Sequence, residues 1–383
     1  MRPDAVARRP RVVIVGGLTA AALLASCTSE ARSETRSTSA ASAAPEAPSA
    51  AAASTGSSWV APDGRDTNPG TRAAPLRTVG AAIAKAAPGA VIDVAAGTYS
   101  EALSTSVSGA TGAPITLRGH GAVLTGDTDR SGRVLQIRND YWTIKGFEIT
   151  GADNGVWIEG GHHVVVASNE IHHLLGECVR VKYLSADIVI ERNSIHNCGL
   201  EDFVQNPGSG KNGEGVYIGT APEQLGKNPA PVPDATTRVV VRDNVIVTHG
   251  NECVDIKEAA TGNVVEFNDC SEQRDPESGG FDSRGSGNVF RYNRSHDNTG
   301  AGIRVGGDEV TDGTGNDLIG NELSDNEGSG IKVMRLPQGT VCGNAIERSG
   351  RDAINTDEVT NPSCRERHPS AGPRYSTPGR TSP

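Results

Sequence analysis

A short strand-like pattern recurs along this chain, and its spacing restricts the fold more than any other feature. Each copy has glycine or cysteine second and an apolar residue third, and copies occur at 154–159, 177–182, 214–219, 252–257, 279–284, 301–306 and 329–334. A second strand-like segment follows each copy and ends in an asparagine: Asn169, Asn193, Asn244, Asn268, Asn293, Asn321 and Asn344. Since asparagine tolerates left-handed backbone and bonds to its neighbours, the series predicts an interior bend that recurs in every turn.

Short alternating strands with a base period of about 22 residues predict an all-β fold, a single-domain right-handed parallel β-helix. Aliphatic side chains at alternate positions would fill its interior, whereas a β-propeller would need a period of roughly 40 residues. The 47 glycines and the aromatic content of 4% agree with many short strands joined by tight turns. Residues 77–87 have helical spacing, and we expect this short helix to cap the first turn.

The N-terminal residues predict export. Arg8, Arg9 and Arg11 precede an apolar run at 12–24, which is too short to span a membrane. Residues 24–27 resemble a bacterial lipobox, so we interpret 1–27 as a lipoprotein signal peptide with Cys27 as the lipidated residue. An ordinary signal peptide with a chance cysteine is the alternative. We expect a lipoprotein anchored at the cell exterior or in the periplasm, with no membrane contact except its lipid.

Composition then divides the rest of the chain. Residues 28–57 are Ala-, Ser- and Pro-rich and predict a disordered tether, because they offer too little apolar surface to fold. We assign 58–360 to the β-helix domain and 361–383 to a loose C-terminal tail. The formal charge of −10 argues against nucleic acid as a partner. We expect a monomer.

Seven cysteines include Cys27, and the remaining six can form three disulfides in an exported protein. Their positions in the repeat suggest bridges between neighbouring turns, with a last pair holding the tail: Cys178–Cys198, Cys253–Cys270 and Cys342–Cys364. A zinc site is the alternative, although neither a CxxC nor an HxxxH spacing occurs.

Stacked turns lie about 4.8 Å apart, so each repeat position becomes a column of outward side chains. One column contains Glu214 and Glu252, and another places Asp255 directly below Asp282. Adjacent carboxylates repel unless a cation or a shared proton intervenes, and a hard ion such as Ca²⁺ prefers oxygen ligands. The alternative is a set of solvated exterior acids balanced by the cations on the same strands.

The same segment resembles a known family. Glu252 and Lys257 lie five residues apart on one strand, Arg284 follows one turn later, and 285–289 and Asn293 continue the pattern. This arrangement is similar to the polysaccharide lyases that include chondroitinase B and alginate lyases. In that family a glutamate binds calcium, a lysine five residues later is the base, and the next turn carries an arginine.

The resemblance implies β-elimination at a uronic acid, with Lys257 and Arg284 as catalytic residues and Ca²⁺ as the cofactor. The metal ligands would be Glu252 with Glu214 or Asp255. The family has a histidine after the arginine, where this chain has glycine, and an acid two residues before the glutamate, where it again has glycine. A lysine base needs a lowered pKa, which Ca²⁺ and Arg284 would provide.

An acidic polysaccharide would then be the partner. The expected substrate-binding residues lie on the same columns: Arg180, Lys182, Tyr217, Asp282, Arg304 and Lys332. Inserts at 200–212 and 220–236 could form walls of the groove. Two alternatives remain: a glycoside hydrolase that uses Asp255 and Asp282 as paired carboxylates, and a non-catalytic surface lipoprotein that binds polysaccharide.

Overall fold

The computed structural model describes residues 57–126, 132–208 and 210–364. The expected signal peptide, the lipidation site Cys27 and nearly all of the expected tether lie outside the described residues, as does the tail after 364. Among the described residues, every helix is too short or too polar to cross a membrane.

The described chain consists of short strands with three small helical segments. In chain order the first strands are β1 Ser58–Val60, β2 Val91–Tyr99, β3 Leu103–Ser104, β4 Ile115–Leu124, β5 Arg133–Ile137, β6 Trp142–Thr150, β7 Asn154–Glu159, β8 Val165–Ala167, β9 Glu170–His172, β10 Val179–Lys182, β11 Val189–Glu191, β12 Ser194–His196 and β13 Val216–Ile218. They are followed by β14 Val240–Arg242, β15 Val245–Val247, β16 Val254–Ile256, β17 Val264–Glu266, β18 Asp269–Ser271, β19 Gly279–Ser283, β20 Val289–Arg291, β21 Arg294–His296, β22 Ala301–Val305, β23 Asp317–Ile319, β24 Glu322–Ser324, β25 Ile331–Val333, β26 Val341–Cys342 and β27 Ala345–Glu347. The helical segments are α1 Val79–Lys85, a π-helical turn Glu201–Gln205 and a 3₁₀ segment Pro222–Lys227.

All sheet pairings between these strands are parallel, which confirms the right-handed parallel β-helix. One sheet of nine strands, here called the groove sheet, has the order β3-β5-β7-β10-β13-β16-β19-β22-β25. The other sheet begins with β1, β2, β4 and β6. After β6 it continues as two rows of stacked strands, each called a file here. One file runs from β8 through β11, β14, β17, β20 and β23 to β26, and the other from β9 through β12, β15, β18, β21 and β24 to β27.

The interior is filled by aliphatic side chains at alternate strand positions, such as Val254 and Ile256 on β16, both 0% exposed. Helix α1 closes the N-terminal end, as the sequence predicts. Its Val79, Ala82 and Ile83 are buried against the first turn, and the Thr78 side chain caps it by accepting a hydrogen bond from the Ala81 amide.

The asparagine ladder is confirmed. Each amide donates to the next Oδ1, for example Asn244 to Asn268 at 2.9 Å and Asn268 to Asn293 at 3.0 Å. The left-handed backbone, however, lies at the residue before the asparagine, as at Asp243 (φ 55°) and Phe267 (φ 56°). The asparagine side chain instead satisfies backbone groups that the bend removes from the sheet.

The three expected cysteine pairs are present as disulfides: Cys178–Cys198, Cys253–Cys270 and Cys342–Cys364. The expectation that the first two join neighbouring turns is wrong. Cys253 precedes β16, and Cys270 lies on β18 of the same turn. The bridge therefore spans the interior of a single turn and joins the start of β16 to β18.

Candidate active site

The outer face of the groove sheet carries the predicted columns, and their side chains are buried. Asp255 and Asp282 are 0% exposed, Glu252 is 2% exposed and Glu214 is 4% exposed. Register confirms that Asp255 is paired with Asp282. The alternative of solvated exterior acids is therefore wrong, because these carboxylates have almost no contact with solvent.

Glu214, Glu252 and Asp255 form a buried carboxylate cluster in which one ligand oxygen from each lies within 4.8 Å of the others. Glu252 Oε2 and Asp255 Oδ1 have no hydrogen-bond partner among the described residues. Buried, unpaired carboxylate oxygens are costly unless a proton or a cation compensates them. An all-oxygen donor set of this kind fits a hard divalent cation.

The electrostatics of the cluster agree with this fit. Burial, together with the nearby Glu177 and Asp255, raises the pKa of Glu214 to about 7. Burial, followed by the charge of Asp255, also raises the pKa of Glu252 well above its usual range. At neutral pH Glu252 therefore holds a proton and Glu214 is about half protonated, and a cation would displace these protons.

Lys257 lies beside this cluster, with its Nζ 2.6 Å from Asp255 Oδ2 and 4.8 Å from the centre of the Tyr217 ring. Burial lowers the pKa of Lys257, whereas the charge of the Asp255 carboxylate raises it. The net effect places the pKa above its ordinary value, although Arg284 acts in the opposite direction. Arg284 alone therefore does not lower the pKa of Lys257, because the Asp255 carboxylate outweighs it. The expected lowering by Ca²⁺ and Arg284 together stays a prediction.

Asp282 is contacted by two arginine side chains. Arg304 Nη1 donates to both of its oxygens at 2.9 Å, and Arg284 Nε is 3.8 Å from Oδ2. Since Asp282 has no exposed surface, its expected contact with substrate is wrong, and it positions the two arginines instead. Arg284 itself reaches solvent, with its side chain 26% exposed. Lys332, two turns further along, donates to the Glu277 carbonyl at 2.7 Å.

A second group lies toward the N-terminal end of the groove sheet. The Arg180 guanidinium lies 3.4 Å from the centre of the Tyr217 ring and forms an ion pair with Glu177 at 2.7 Å. Lys182 Nζ is 5.2 Å from the Trp157 ring, and burial, with the charge of Arg180, lowers the Lys182 pKa to about 8. The expected cations are thus present on this face, but they are buried.

An open cavity of about 260 Å³ borders this second group. Its lining includes Arg180, Lys182 and Trp157 from the groove sheet, Asp202 from the first insert and Lys227 from the second. The inserts therefore do form walls of the groove, as the sequence suggests.

Two residues of the site were missed by sequence reasoning. The Arg133 guanidinium lies 3.8 Å from the Trp157 ring centre, and the Ser278 hydroxyl contacts both Glu252 and Asp282. Arg133 could have been found, because 133–138 is an earlier, less regular copy of the repeat that pairs with β7. Ser278 lies in a third insert, 273–278, where the repeat gives no register.

The two glycines that depart from the lyase pattern are fixed by close backbone contacts. A Cβ on Gly285 would lie 2.2 Å from the Ala260 carbonyl oxygen, and one on Gly250 would lie 2.5 Å from the Cys198 carbonyl oxygen. Neither the histidine nor the second acid of the family could be accommodated without moving the backbone. Among the described residues, Asp255 and Glu214 are the acids in position to complete a carboxylate set with Glu252.

Comparison with known proteins supports the fold along most of the domain. Residues 58–227 match a family described as the Pel9A-like, right-handed β-helix region, and residues 277–367 match a right-handed β-helix region. Glu214 and Arg284 lie within these matches, whereas Glu252 and Lys257 lie between them.

The chain is 31% identical over 131 residues to pectate lyase L of Paenibacillus polymyxa, which is 31% of this chain and 29% of that protein. The chain matches less than a third of the length of its curated relatives. Among solved structures, alginate lyase from Paenibacillus sp. str. FPU-7 superposes with TM-score 0.59 at 23% identity, covering 73% of this chain and 96% of that one. Pectate lyase Pel9A superposes with TM-score 0.54 at 15% identity, covering 79% and 82%. The chain therefore belongs to the right-handed parallel β-helix proteins and resembles the polysaccharide lyases built on that fold.

Proposed function

We propose that this protein is an exported polysaccharide lyase that cleaves a uronic-acid-containing polysaccharide by Ca²⁺-assisted β-elimination. The observation that carries the proposal is one constellation on the groove sheet. Lys257 lies against the buried carboxylate cluster of Glu214, Glu252 and Asp255, and Arg284 follows on the next turn. The lyases among the structural neighbours give independent support for the reaction class.

Glu214, Glu252 and Asp255 would hold the cation. The oxygens of Glu252 and Asp255 that lack hydrogen-bond partners, and the raised pKa values of both glutamates, support this assignment. A bound Ca²⁺ supplies positive charge that neutralises Asp255, lowers the pKa of Lys257 and attracts the substrate carboxylate.

The remaining chemistry belongs to side chains of this protein. Neutral Lys257 removes the proton from C5 of the uronate, and the C5–H electron pair becomes the C4–C5 double bond. The C4–O bond breaks, its electron pair leaves on the glycosidic oxygen, and water protonates that oxygen. Arg284, which is partly exposed, pairs with the uronate carboxylate and stabilises the charge that develops there.

The rest of the groove sheet suits an anionic polymer. Arg180, Lys182 and Trp157 border the cavity toward the N-terminal end, and Lys332 lies toward the C-terminal end. A polysaccharide that runs along the stacked turns would meet cations and an aromatic ring on successive turns.

The hydrolase alternative has less support. A hydrolase needs one carboxyl that donates a proton and one that is free to attack or to activate water. Asp282 is enclosed by Arg304 and Asp255 is paired with Lys257, and both are fully buried.

The test incubates the purified protein with polyuronates in Ca²⁺ or chelator and follows the ultraviolet absorbance of the new C4–C5 double bond. We expect absorbance that depends on Ca²⁺ and is absent in Lys257→Ala. Lys85→Ala, which alters an exposed lysine on α1, is the matched control. Reducing ends without absorbance would establish hydrolysis, and binding without cleavage would establish a non-catalytic carbohydrate-binding protein.

A further inference from the structure

A cluster of imidazoles and carboxylates lies on the other sheet, away from the groove sheet. Glu170 and His172 flank the buried Ile171 on β9, so both side chains point outward. His196 on β12 is in register with His172, and Glu148 on β6 is in register with Glu170. Two adjacent columns thus bring two histidines and two glutamates together on three consecutive turns.

The distances fit a common ligand. One donor atom from each of Glu170, His172 and His196 lies within 4.8 Å of the others. His196 Nε2 is 3.4 Å from Glu170 Oε1, and His172 Nε2 is 3.3 Å from Glu148 Oε1. The His172 and His196 rings are stacked with centres 4.8 Å apart. All of these side chains are at least partly exposed, so an ion from solution can reach them.

Hydrogen bonds behind the cluster orient His172. His172 Nδ1 lies 2.7 Å from His173 Nδ1, so one proton is shared between these two nitrogens. An ion at His172 Nε2 requires that proton on His172 Nδ1, which then donates to His173 Nδ1. His173 carries its own proton on Nε2, 3.1 Å from the Asn197 side-chain amide, whose oxygen accepts it once the amide is turned toward the ring. Metal-binding histidines are oriented in this way, since the nitrogen that does not bind the ion donates a hydrogen bond.

His296 lies in the same column as His172 and His196, three turns after His196, and has different neighbours. Its two ring nitrogens contact Asp269 at 2.8 Å and Asp297 at 2.6 Å. Both nitrogens are thus taken by carboxylates, and the described neighbours provide no second imidazole. A single histidine in this column therefore does not form a metal site. The pair of His172 on β9 and His196 on β12 differs from it because two imidazoles lie together.

We propose that Glu170, His172 and His196 bind one transition-metal ion of the Zn²⁺ class, with Glu148 as an additional carboxylate. Two imidazoles with carboxylate oxygens favour a borderline ion such as Zn²⁺ over Ca²⁺, which prefers oxygen ligands alone. The site lies on a different sheet from Lys257, so this inference does not depend on the proposed lyase activity.

The test titrates the full-length protein, prepared without a histidine tag, with Zn²⁺ by calorimetry. Excess Ca²⁺ is present to compete for oxygen-only clusters. We expect one equivalent of bound Zn²⁺ and at least tenfold weaker binding in His172→Ala and in His196→Ala. His296→Ala is the matched control and should bind as the wild type does.

Glu170→Gln provides a variant that changes one charge and almost no volume, and it should also bind Zn²⁺ more weakly. Co²⁺ as a spectroscopic probe should give visible absorption bands typical of nitrogen ligation in the wild type only. The proposal is overturned if the wild type binds no stoichiometric Zn²⁺. It is equally overturned if His172→Ala, His196→Ala and Glu170→Gln all bind as tightly as the wild type, which would indicate adventitious surface binding.

Discussion

Replacing Glu214 by glutamine should stabilise the cation-free protein at alkaline pH. Glu214 is buried, and its pKa is raised to about 7 from an ordinary value of 4.5, with burial as the main cause. The native state therefore binds a proton more tightly than the unfolded state does. Stability from this group is complete below about pH 4.5 and is lost as the pH rises through about 7. The difference in pKa corresponds to roughly 3 kcal/mol.

Glutamine keeps the size of the side chain and can still accept the hydrogen bond that Glu214 Oε2 receives from the Gly213 amide at 3.0 Å. In chelator at pH 8, we expect Glu214→Gln to have a free energy of unfolding up to about 3 kcal/mol above that of the wild type. At pH 4 the two proteins should be equal. Urea denaturation followed by circular dichroism measures both values.

Calcium should offset most of this difference. At free Ca²⁺ near 100 times its dissociation constant, the wild type should gain about 2.7 kcal/mol, and Glu214→Gln should gain much less. Glu223→Gln, an exposed position on the 3₁₀ segment, is the control and should behave as the wild type does. The reasoning is refuted if Glu214→Gln is no more stable than the wild type in chelator at pH 8.

Three further predictions concern the scaffold and the export of the chain. Asn268→Ala should lower the free energy of unfolding by several kcal/mol, since unpaired buried groups cost about 1–3 kcal/mol each. An unchanged midpoint of urea denaturation would contradict this prediction. Replacing Cys253 and Cys270 by serine should cost about 3 kcal/mol, and an unchanged thermal midpoint would contradict it. Cys27→Ala should abolish incorporation of labelled fatty acid, and persistent labelling would exclude lipidation at that cysteine.

The repeat predicts much of this structure because its physical cause is local. A period of two along each strand assigns every side chain to the interior or the exterior, and a constant turn length aligns those positions in columns. The pairing of Asp255 with Asp282 and the asparagine ladder follow from that alignment. The His172–His196 pair follows from it as well, because an Ile-His dipeptide precedes a turn in two successive repeats.

Burial and charge could not be predicted in the same way. The inserts have no repeat register, so their cover over the groove sheet, including Asp202 and Lys227, is known only from the structure. The balance of charges at Lys257 depends on a distance of 2.6 Å to Asp255, which the pattern does not specify. The pattern does not specify burial either, so the direct substrate contact expected of the fully buried Asp282 was wrong.

The most direct test of the proposed function is the rate of C4–C5 double-bond formation from a polyuronate, measured for wild type and Lys257→Ala at saturating Ca²⁺. Loss of a general base lowers rates by about 10²- to 10⁴-fold, so the variant should fall by at least a hundredfold. It should keep the wild-type circular dichroism spectrum and bind Ca²⁺ at least as tightly, because Lys257 no longer pairs with Asp255. Full activity in Lys257→Ala would contradict the assignment of the base, and the absence of unsaturated products from every polyuronate would contradict the elimination itself.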